Sequence, residues 1–293
     1  MVGGANGVVK AASQPTSPRA TVPGRPPRAE RVGQSQSSAR YDDESMRGAT
    51  PLGNLRSPQG ATVVEQDLLT SPVRIYSPTV TSPGVNTTSS VLLASGREAF
   101  HKTFAGVNRT AAHAYGQGAD TPPVHECCAW RLAIALGPPY SELVAVAVLR
   151  EINGEDGALI DRRYGTKGAA AAVAPPLGQR LAAAFFDSLI AQQDRHVGNL
   201  RWDAPAAQLG LIDHGYAFAT PGHPCNASLF VGHRHGIGHA DLTSAEVVAL
   251  EQLLGSPDLM GLDGILEPGR ASALADRASR MLAAGNILAV GDF

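Results

Sequence analysis

The sequence predicts an α+β fold in which most strands precede most helices. Short runs rich in Val, Leu and Ile, separated by Gly, Asn and Pro, lie within residues 89–165, and such runs are typical of strands. Residues 177–193 and 268–284 instead carry apolar side chains at helical spacing. Strands followed by helices, rather than alternating with them, indicate the α+β class.

Residues 1–88 are predicted to form a disordered tail. They are dominated by Ser, Pro, Gly, Thr, Arg and Gln and include five Ser-Pro pairs. They also lack an apolar stretch long enough to offset the entropy of ordering. The ordered domain is therefore expected to span 89–284, with 285–293 as a second, short tail.

Composition argues against several classes of protein. The 293 residues carry a net charge of −2, without the clustered Lys and Arg that a nucleic-acid-binding face requires. Of the three cysteines, Cys127 and Cys128 are adjacent and Cys225 is distant, so neither a disulfide framework nor a zinc site is expected. The sequence shows neither a signal-peptide pattern nor a run of 18 apolar residues. We therefore expect a cytoplasmic protein without a membrane span, and the oligomeric state stays open.

The first part of the domain is predicted to begin with a hairpin and a helix. Strands at 91–93 and 99–104 place Lys102 near the end of the second strand. Helical spacing at 124–136, ended by Gly-Pro-Pro, predicts a helix with Glu126 in its first turn.

A second hairpin is expected to follow. The apolar run 143–149 is short enough to be a buried strand. The turn residues Asn153 and Gly154 then lead to a partner strand at 158–160.

The second part of the domain is predicted to place two acids near each other. The helix at 177–193 runs into Asp194, and short strands at 200–202 and 209–212 form a hairpin that ends at Asp213.

The end of the domain is expected to be loop and helix. Residues 214–239 are expected to form a loop. Thr243 and Glu246 have the spacing of a capping box and open a helix that ends near Gly255. The last predicted helix, at 268–284, is amphipathic, with its arginines on the polar side.

The order helix, Asp loop, hairpin, Asp is a more specific signal for phosphoryl transfer than any single residue in it. That chemistry needs one group to orient or deprotonate the attacking hydroxyl and oxygen ligands to hold Mg2+ on the phosphates. Asp194 and Asn199 have the five-residue separation of a kinase catalytic loop, and Asp213 would return a second metal-binding acid to that loop. Taken singly, Asp194 and Asn199 fit ordinary turn positions equally well.

Lys102 and Glu126 are candidates for the nucleotide side of such a site. A strand lysine would contact the ATP phosphates, and a glutamate on the next helix would hold it. The alternative is an exposed lysine and a glutamate favoured by the helix dipole. No glycine-rich G-x-G-x-x-G motif precedes Lys102, and only Ser95-Gly96 is available to cover phosphates. His196 contacts phosphate, orients Asp194 or ties the loop together; the sequence does not choose among these roles.

The chain resembles the phosphatidylinositol 3- and 4-kinase-like group, a branch of the protein-kinase-like fold, in two motifs: DRHVGN at 194–199 and IDHG at 212–215. The likeness is to small bacterial, especially actinobacterial, kinase-like proteins of that group, and more distantly to HipA-like kinases. Gln192 departs from the pattern, because such families often place Asn there.

The resemblance implies a two-lobed protein-kinase-like fold, with a small strand-rich N-lobe at 89–165 and a mainly helical C-lobe at 166–284. ATP and Mg2+ would bind between the lobes. The implied roles are Asp194 as catalytic base, Asn199 and Asp213 as Mg2+ ligands, Lys102 as the ATP-phosphate lysine and Glu126 as its partner.

The function expected is that of a kinase, which transfers the γ-phosphoryl group of ATP to a hydroxyl of an unidentified lipid, protein or small molecule. One alternative is a degenerate kinase-like protein that binds a partner without catalysis. A second is a metal-dependent hydrolase that uses a His/Asp cluster, comprising His196, Asp213, His214 and His223.

Overall fold

The first lobe is built on a five-stranded antiparallel sheet. A computed structural model describes residues 55–57, 62–78, 86–118, 121–220, 228–289 and 291–292. The strands are β1 (Val73–Pro78), β2 (Ser89–Leu93), β3 (Glu98–Thr103), β4 (Ala147–Ile152) and β5 (Glu155–Asp161). Their order in the sheet is β1-β2-β3-β5-β4. β3 therefore lies at the centre, between β2 and β5.

Four helices accompany the sheet in the part of this lobe that is described. They are α1 (Val63–Thr70), α2 (Arg109–Ala114), α3 (Thr121–Leu136) and α4 (Tyr140–Leu143). α3 packs against β4 and β5, and almost every residue of its first three turns is buried. A helix buried on all sides is fixed by packing rather than by one apolar stripe. α3 can therefore hold a polar side chain firmly toward the lobe boundary.

The second lobe is mainly helical with one two-stranded hairpin. Its described elements are α5 (Ala169–Val173), α6 (Leu177–Leu189), a single 3-10 turn (Val197–Asn199), β6 (Leu200–Asp203), β7 (Gln208–Leu211), α7 (Leu229–Gly236), α8 (Ser244–Gly255) and α9 (Pro268–Ala284). The apolar stripe of α6 is fully buried at Phe185, Phe186 and Leu189. α6 packs against α7 and α9, and this places the loop after α6 at the edge of the first lobe.

The α+β class, with a strand-rich first part followed by a mainly helical second part, is confirmed by this arrangement. Local signals explain much of it. Asn153 and Gly154 both have positive φ in the β4–β5 turn, as a two-residue hairpin requires. Thr243 and Glu246 form the reciprocal capping box at the start of α8. Among the described residues, no helix combines the length and the apolar composition needed to cross a membrane.

The predicted tails, 1–88 and 285–293, both include residues that belong to the folded domain. Residues 63–78 form α1 and β1, and Leu68 is fully buried, so the ordered part begins before residue 89. The apolar residues of this segment suffice for a two-turn helix and an edge strand. The polar residues around them obscured this apolar pattern in the sequence. Residues 1–54 of the predicted tail lie outside the described part of the chain. At the other end, Ile287 and Leu288 are buried, and Ile287 N–H donates to the Ala240 carbonyl.

Three element predictions for the second lobe were also wrong in part. The helix predicted at 177–193 ends at Leu189, four residues short, and the chain turns before Asp194. The loop predicted at 214–239 contains α7. Arg270 and Arg277 were placed on a polar face, yet both are buried because their guanidinium groups donate to the carbonyls of Phe218, Gly116, Leu189 and Ala219.

Candidate active site

A cleft of about 420 Å³ lies between the two lobes. The sheet contributes Phe100, Lys102 and Ile160 to its lining, and the helical lobe contributes the loop after α6 and the residues around the end of β7. The lining residues of the second lobe include Asp194, His196, Asn199, Ile212 and Asp213. The cleft thus brings together residues that are far apart in the sequence.

Lys102 projects from β3 into this cleft. Its Nζ lies 2.5 Å from Glu126 Oε1 and 2.7 Å from Asp213 Oδ1, and its side chain is 12% exposed. Burial opposes the charged form of Lys102, but Asp213 and Glu126 outweigh that effect and raise its pKa. Lys102 is therefore a fixed ammonium group. The alternative of an exposed, snorkelling lysine is wrong.

Glu126 holds Lys102 from the N-lobe side. The helix α3 begins at Thr121, three residues before its predicted start, so Glu126 lies in the second turn and not the first. Its Oε1 accepts from Lys102, and its Oε2 accepts from the His214 backbone N–H at 2.9 Å. Burial would raise the pKa of Glu126, but Lys102 and then His214 lower it. The carboxylate therefore links the β3 lysine to the backbone immediately after Asp213.

Asp194 lies in the loop after α6. Its side chain is 26% exposed, and burial raises its pKa, an effect that His196 opposes and Asp213 reinforces. Asn199 Nδ2 donates to the Asp194 backbone carbonyl at 2.7 Å. This hydrogen bond closes the loop, and Asn199 is one of the residues that line the cleft.

His196 closes the same loop from the other side. Its Nδ1 accepts from the Gly198 N–H at 2.9 Å, which is the loop-tying role considered above. Its Nε2 lies 3.8 Å from Asp194 Oδ1, too far for a direct hydrogen bond, and its side chain is more than half exposed. His196 thus lies near Asp194 without a direct hydrogen bond to it.

The β6–β7 hairpin brings Asp213 to this loop, as the sequence predicts. Ile212 N–H donates to the Asn199 carbonyl at 3.2 Å, which places the two predicted metal ligands on adjacent backbone. Asp213 has φ +62°, a left-handed conformation that is uncommon for residues other than glycine. Gln192, the departure from the family pattern, is compatible with the site, because its Nε2 donates to the Asp213 carbonyl at 2.8 Å.

The oxygen atoms present fit a magnesium ion. Asn199 and Asp213 both line the cleft and offer amide and carboxylate oxygens, which are the hard donors that Mg2+ prefers. Mg2+ normally keeps only one or two protein carboxylates and takes its remaining ligands from phosphate and water. Two neighbouring protein donors in an open cleft therefore suit an ion that arrives with a nucleotide.

The described residues do not assemble the alternative transition-metal site. In the described part of the chain, no group of three or more His, Cys, Asp and Glu side chains could hold a metal. His214 is buried, and its Nδ1 faces Glu126 Oε2 at 3.6 Å. His223 lies outside the described residues.

The sequence analysis missed several residues around the site. Arg195, in the loop that carries Asp194, forms a fully buried ion pair with Asp187 of α6. An acid within the apolar face of α6 was the available signal, because a buried carboxylate requires a partner. Tyr115 and Tyr216 line the cleft and stack with ring centroids 4.5 Å apart. No sequence signal predicts that stack.

The prediction that Ser95 and Gly96 would cover the phosphates was wrong. Ser95 and Gly96 line a different cavity, of about 970 Å³, together with Asp67 and Arg97. The turn between β2 and β3 therefore faces away from Lys102. The residues before β2, including Asn86 and Thr88, line the Lys102 cleft instead.

Comparisons with known proteins give structural likeness only. No protein-family profile matches the chain, and no curated protein matches it. A solved structure of the Golgi casein kinase with Mn/ADP bound has 13% identity and a TM-score of 0.48, with 75% of this chain and 74% of that chain covered. The Rv3197–erythromycin complex from Mycobacterium tuberculosis has 14% identity and a TM-score of 0.33, with 59% and 56% covered. The maize SIRK1 kinase domain bound to AMP-PNP has 14% identity and a TM-score of 0.29, with 79% and 92% covered.

Identities this low and TM-scores below 0.5 assign neither a family nor an activity. The resemblance to phosphatidylinositol 3- and 4-kinase-like proteins therefore stays a prediction from the sequence motifs.

Proposed function

We propose that the chain is a kinase that transfers the γ-phosphoryl group of ATP to a hydroxyl acceptor in the presence of Mg2+. The observation that carries the proposal is the contact of Lys102 Nζ with both Glu126 and Asp213. Asp194 and Asn199 line the same cleft. A strand lysine held by a helix glutamate, beside a loop Asp and a metal-binding Asp, is the set of groups that phosphoryl transfer uses.

Lys102 would bind the phosphates as a point charge. An ammonium group has three donors, and in this structure Glu126 and Asp213 accept two of them. The third is available for a phosphate oxygen. The pair with Glu126 prevents Lys102 from adopting other rotamers, so little ordering entropy remains to be lost when the nucleotide binds.

Asp194 would accept the proton of the acceptor hydroxyl. As the hydroxyl oxygen forms its bond to the γ-phosphorus, the bond from that phosphorus to the β–γ bridging oxygen breaks and ADP leaves. The proton passes to an Asp194 carboxylate oxygen. The hydrogen bond from Asn199 Nδ2 to the Asp194 carbonyl fixes the backbone of Asp194 during that transfer.

Asn199 and Asp213 would hold the magnesium ion that accompanies ATP. When bound, the ion neutralises the negative charge of the phosphate oxygens. The apolar side chains of Phe100, Ile160 and Ile212 line the same cleft and offer an apolar surface for the nucleotide base. The proposed acceptor is a hydroxyl of a lipid, a protein side chain or a small molecule. The fold does not choose among these classes, because substrate choice depends on the shape and chemistry of the pocket.

Phosphate transfer from labelled ATP tests the proposal. The full chain is incubated with [γ-³²P]ATP and MgCl2, alone and with cell extract, beside Asp194→Ala and an Asp263→Ala control. Asp263 is an exposed acid in the second lobe, away from the cleft. We expect the wild type and Asp263→Ala to label a product and Asp194→Ala to lose that label. Equal labelling by wild type and Asp194→Ala would reject Asp194 as the base.

A binding measurement separates a kinase from a degenerate kinase-like protein. Thermal unfolding is followed with ATP and MgCl2 for the wild type and Asp213→Ala, because a ligand that binds only the folded state raises the midpoint. We expect stabilisation of the wild type that Asp213→Ala loses. Stabilisation without any phosphate transfer would favour the degenerate alternative, and no stabilisation at all would reject the nucleotide site.

A further inference from the structure

Arg195 lies between the two residues of the proposed magnesium site and is completely buried. Its Nη1 donates to the Ile212 carbonyl at 2.5 Å and to the Asn199 carbonyl at 3.3 Å. Asn199 is one proposed magnesium ligand, and Ile212 directly precedes the other, Asp213. One guanidinium nitrogen therefore joins the backbones that carry both ligands.

A buried carboxylate fixes the other side of the same guanidinium. Arg195 Nε lies 3.2 Å from Asp187 Oδ1 and 3.1 Å from Asp187 Oδ2, and Nη2 lies 3.1 Å from Oδ1. Asp187 is also fully buried, within α6. Charge-assisted, two-pronged contacts of this kind specify orientation as well as attraction.

The base of the cluster is closed by Ser228, the N-cap of α7. Ser228 Oγ donates to Asp187 Oδ2 at 2.8 Å, and the Arg195 carbonyl accepts from the Leu229 N–H at 3.2 Å. The loop that carries Asp194 is thus anchored to two helices of the second lobe. Each oxygen of Asp187 has a partner, as a buried carboxylate requires.

We infer that Arg195 is a positioning residue that sets the separation of Asn199 and Asp213, and that Asp187 holds Arg195 in that role. The inference rests on the proposed function, because the ligands that it positions are those of the proposed magnesium site. Lysine cannot substitute for Arg195, since a single ammonium cannot reach Asp187 and both carbonyls in a planar fork. Outer-shell groups that hold metal ligands contribute about 10- to 100-fold to metal affinity.

The second lobe contains a matched control. Arg234 is also buried, pairs with a single acid, Glu246, at 2.6 and 2.8 Å, and donates to the carbonyls of Leu181, His239 and Asp241. None of these partners lines the cleft. Arg234→Lys therefore reproduces the loss of a buried, forked ion pair without touching the proposed metal ligands.

The test measures metal affinity by binding, not by activity. Thermal unfolding midpoints are recorded across a MgCl2 titration, with a saturating non-hydrolysable ATP analogue, for the wild-type chain, Arg195→Lys, Asp187→Asn and Arg234→Lys. We expect Arg195→Lys and Asp187→Asn to need about 10- to 100-fold more Mg2+ for half-maximal stabilisation. We expect Arg234→Lys to lower the metal-free midpoint while keeping the wild-type Mg2+ requirement.

The outcomes separate the inference from the function on which it rests. A wild-type Mg2+ requirement in the folded Arg195→Lys chain, or in Asp187→Asn should Arg195→Lys not fold, would overturn the positioning role. An equal increase in Arg234→Lys would also overturn it, because general loss of stability would then explain the effect. If the wild type shows no Mg2+-dependent stabilisation, the proposed function itself fails, and the inference with it.

Discussion

Lys102 and Asp213 are separated by 111 positions in the sequence, yet Lys102 Nζ lies 2.7 Å from Asp213 Oδ1. The contact joins the central strand of the first lobe to the end of the hairpin in the second. Asp213 is 36% exposed, whereas Glu126, the other partner of Lys102, is 1% exposed. The two carboxylates therefore differ in their access to water. Asp213 can be hydrated or bind a ligand, whereas the buried charge of Glu126 is compensated by Lys102.

Replacing Lys102 should leave a buried charge without its partner. We expect Lys102→Met to lower the free energy of unfolding by about 3–5 kcal/mol, the range for breaking one side of a buried pair. Urea denaturation at pH 7 measures the change. The double variant Lys102→Met/Glu126→Gln should recover part of the loss, since it removes the uncompensated carboxylate. A single-variant loss below about 1 kcal/mol would show that water already reaches Glu126.

Acid should remove the contribution of Glu126 to stability. Its pKa is lowered in the folded chain, where Lys102 and His214 outweigh the effect of burial. In the unfolded chain it is the ordinary value of about 4.3. The unfolded state then binds the proton first as the pH falls, so this contribution is complete above about pH 5 and declines below about pH 4.3.

The difference in unfolding free energy between wild type and Glu126→Gln measures that linkage. We expect the difference to be constant from pH 6 to pH 8 and to shrink steadily from about pH 4.5 toward pH 3. Urea denaturation at each pH gives the two values. A difference that grows with acid would mean that the folded pKa is raised.

Protonation of the Asp194 carboxylate should define the acid limb of the pH–rate profile. Burial raises the pKa of Asp194, so the rate of phosphate transfer should fall at a pH above the ordinary Asp value of about 3.9. The electrostatic effect of His196 lowers the pKa of Asp194. In His196→Ala we therefore expect the acid limb to move to higher pH, with His113→Ala, an exposed histidine of α2, as control. An unmoved limb in His196→Ala contradicts the coupling.

Local patterns could predict the elements that carry the proposed site. The β2–β3 hairpin, α3 and the hairpin after Asn199 depend on turn residues and apolar spacing within about 20 residues. They place Lys102, Glu126 and Asp213 on the correct elements. The order of these elements along the chain, rather than any one residue, was the basis for predicting that the three side chains share one cleft.

Long-range pairing explains what could not be predicted. Arg195 is buried only because Asp187 and two backbone carbonyls surround it, and no spacing in the sequence specifies carbonyl partners. Arg270 and Arg277 belong to the same class. α7 was missed for another reason: its sequence is rich in Gly and His, and both have poor helix propensity, so packing against α6 stabilises it instead.

Gly157 allows β5 to approach the lysine strand. It pairs with Thr103 in the sheet, and a Cβ added there would lie 2.3 Å from the Lys102 carbonyl oxygen and 2.7 Å from Thr103 Cα. These are backbone atoms that cannot rotate away, so β3 itself must move. We expect Gly157→Ala to lower the free energy of unfolding by about 1–3 kcal/mol, as overpacking does. It should also weaken nucleotide-dependent stabilisation, because Lys102 moves with β3.

Gly232 provides the matched control for Gly157. It lies inside α7, and a Cβ added there would meet nothing within 4 Å. Gly232→Ala should therefore raise the free energy of unfolding by about 0.5–1 kcal/mol, since alanine loses less conformational entropy in a helix. Urea denaturation and thermal shift with ATP and MgCl2 measure both variants. If Gly157→Ala weakens stability but leaves the nucleotide response at the wild-type level, the position of Lys102 does not depend on the close approach of β5.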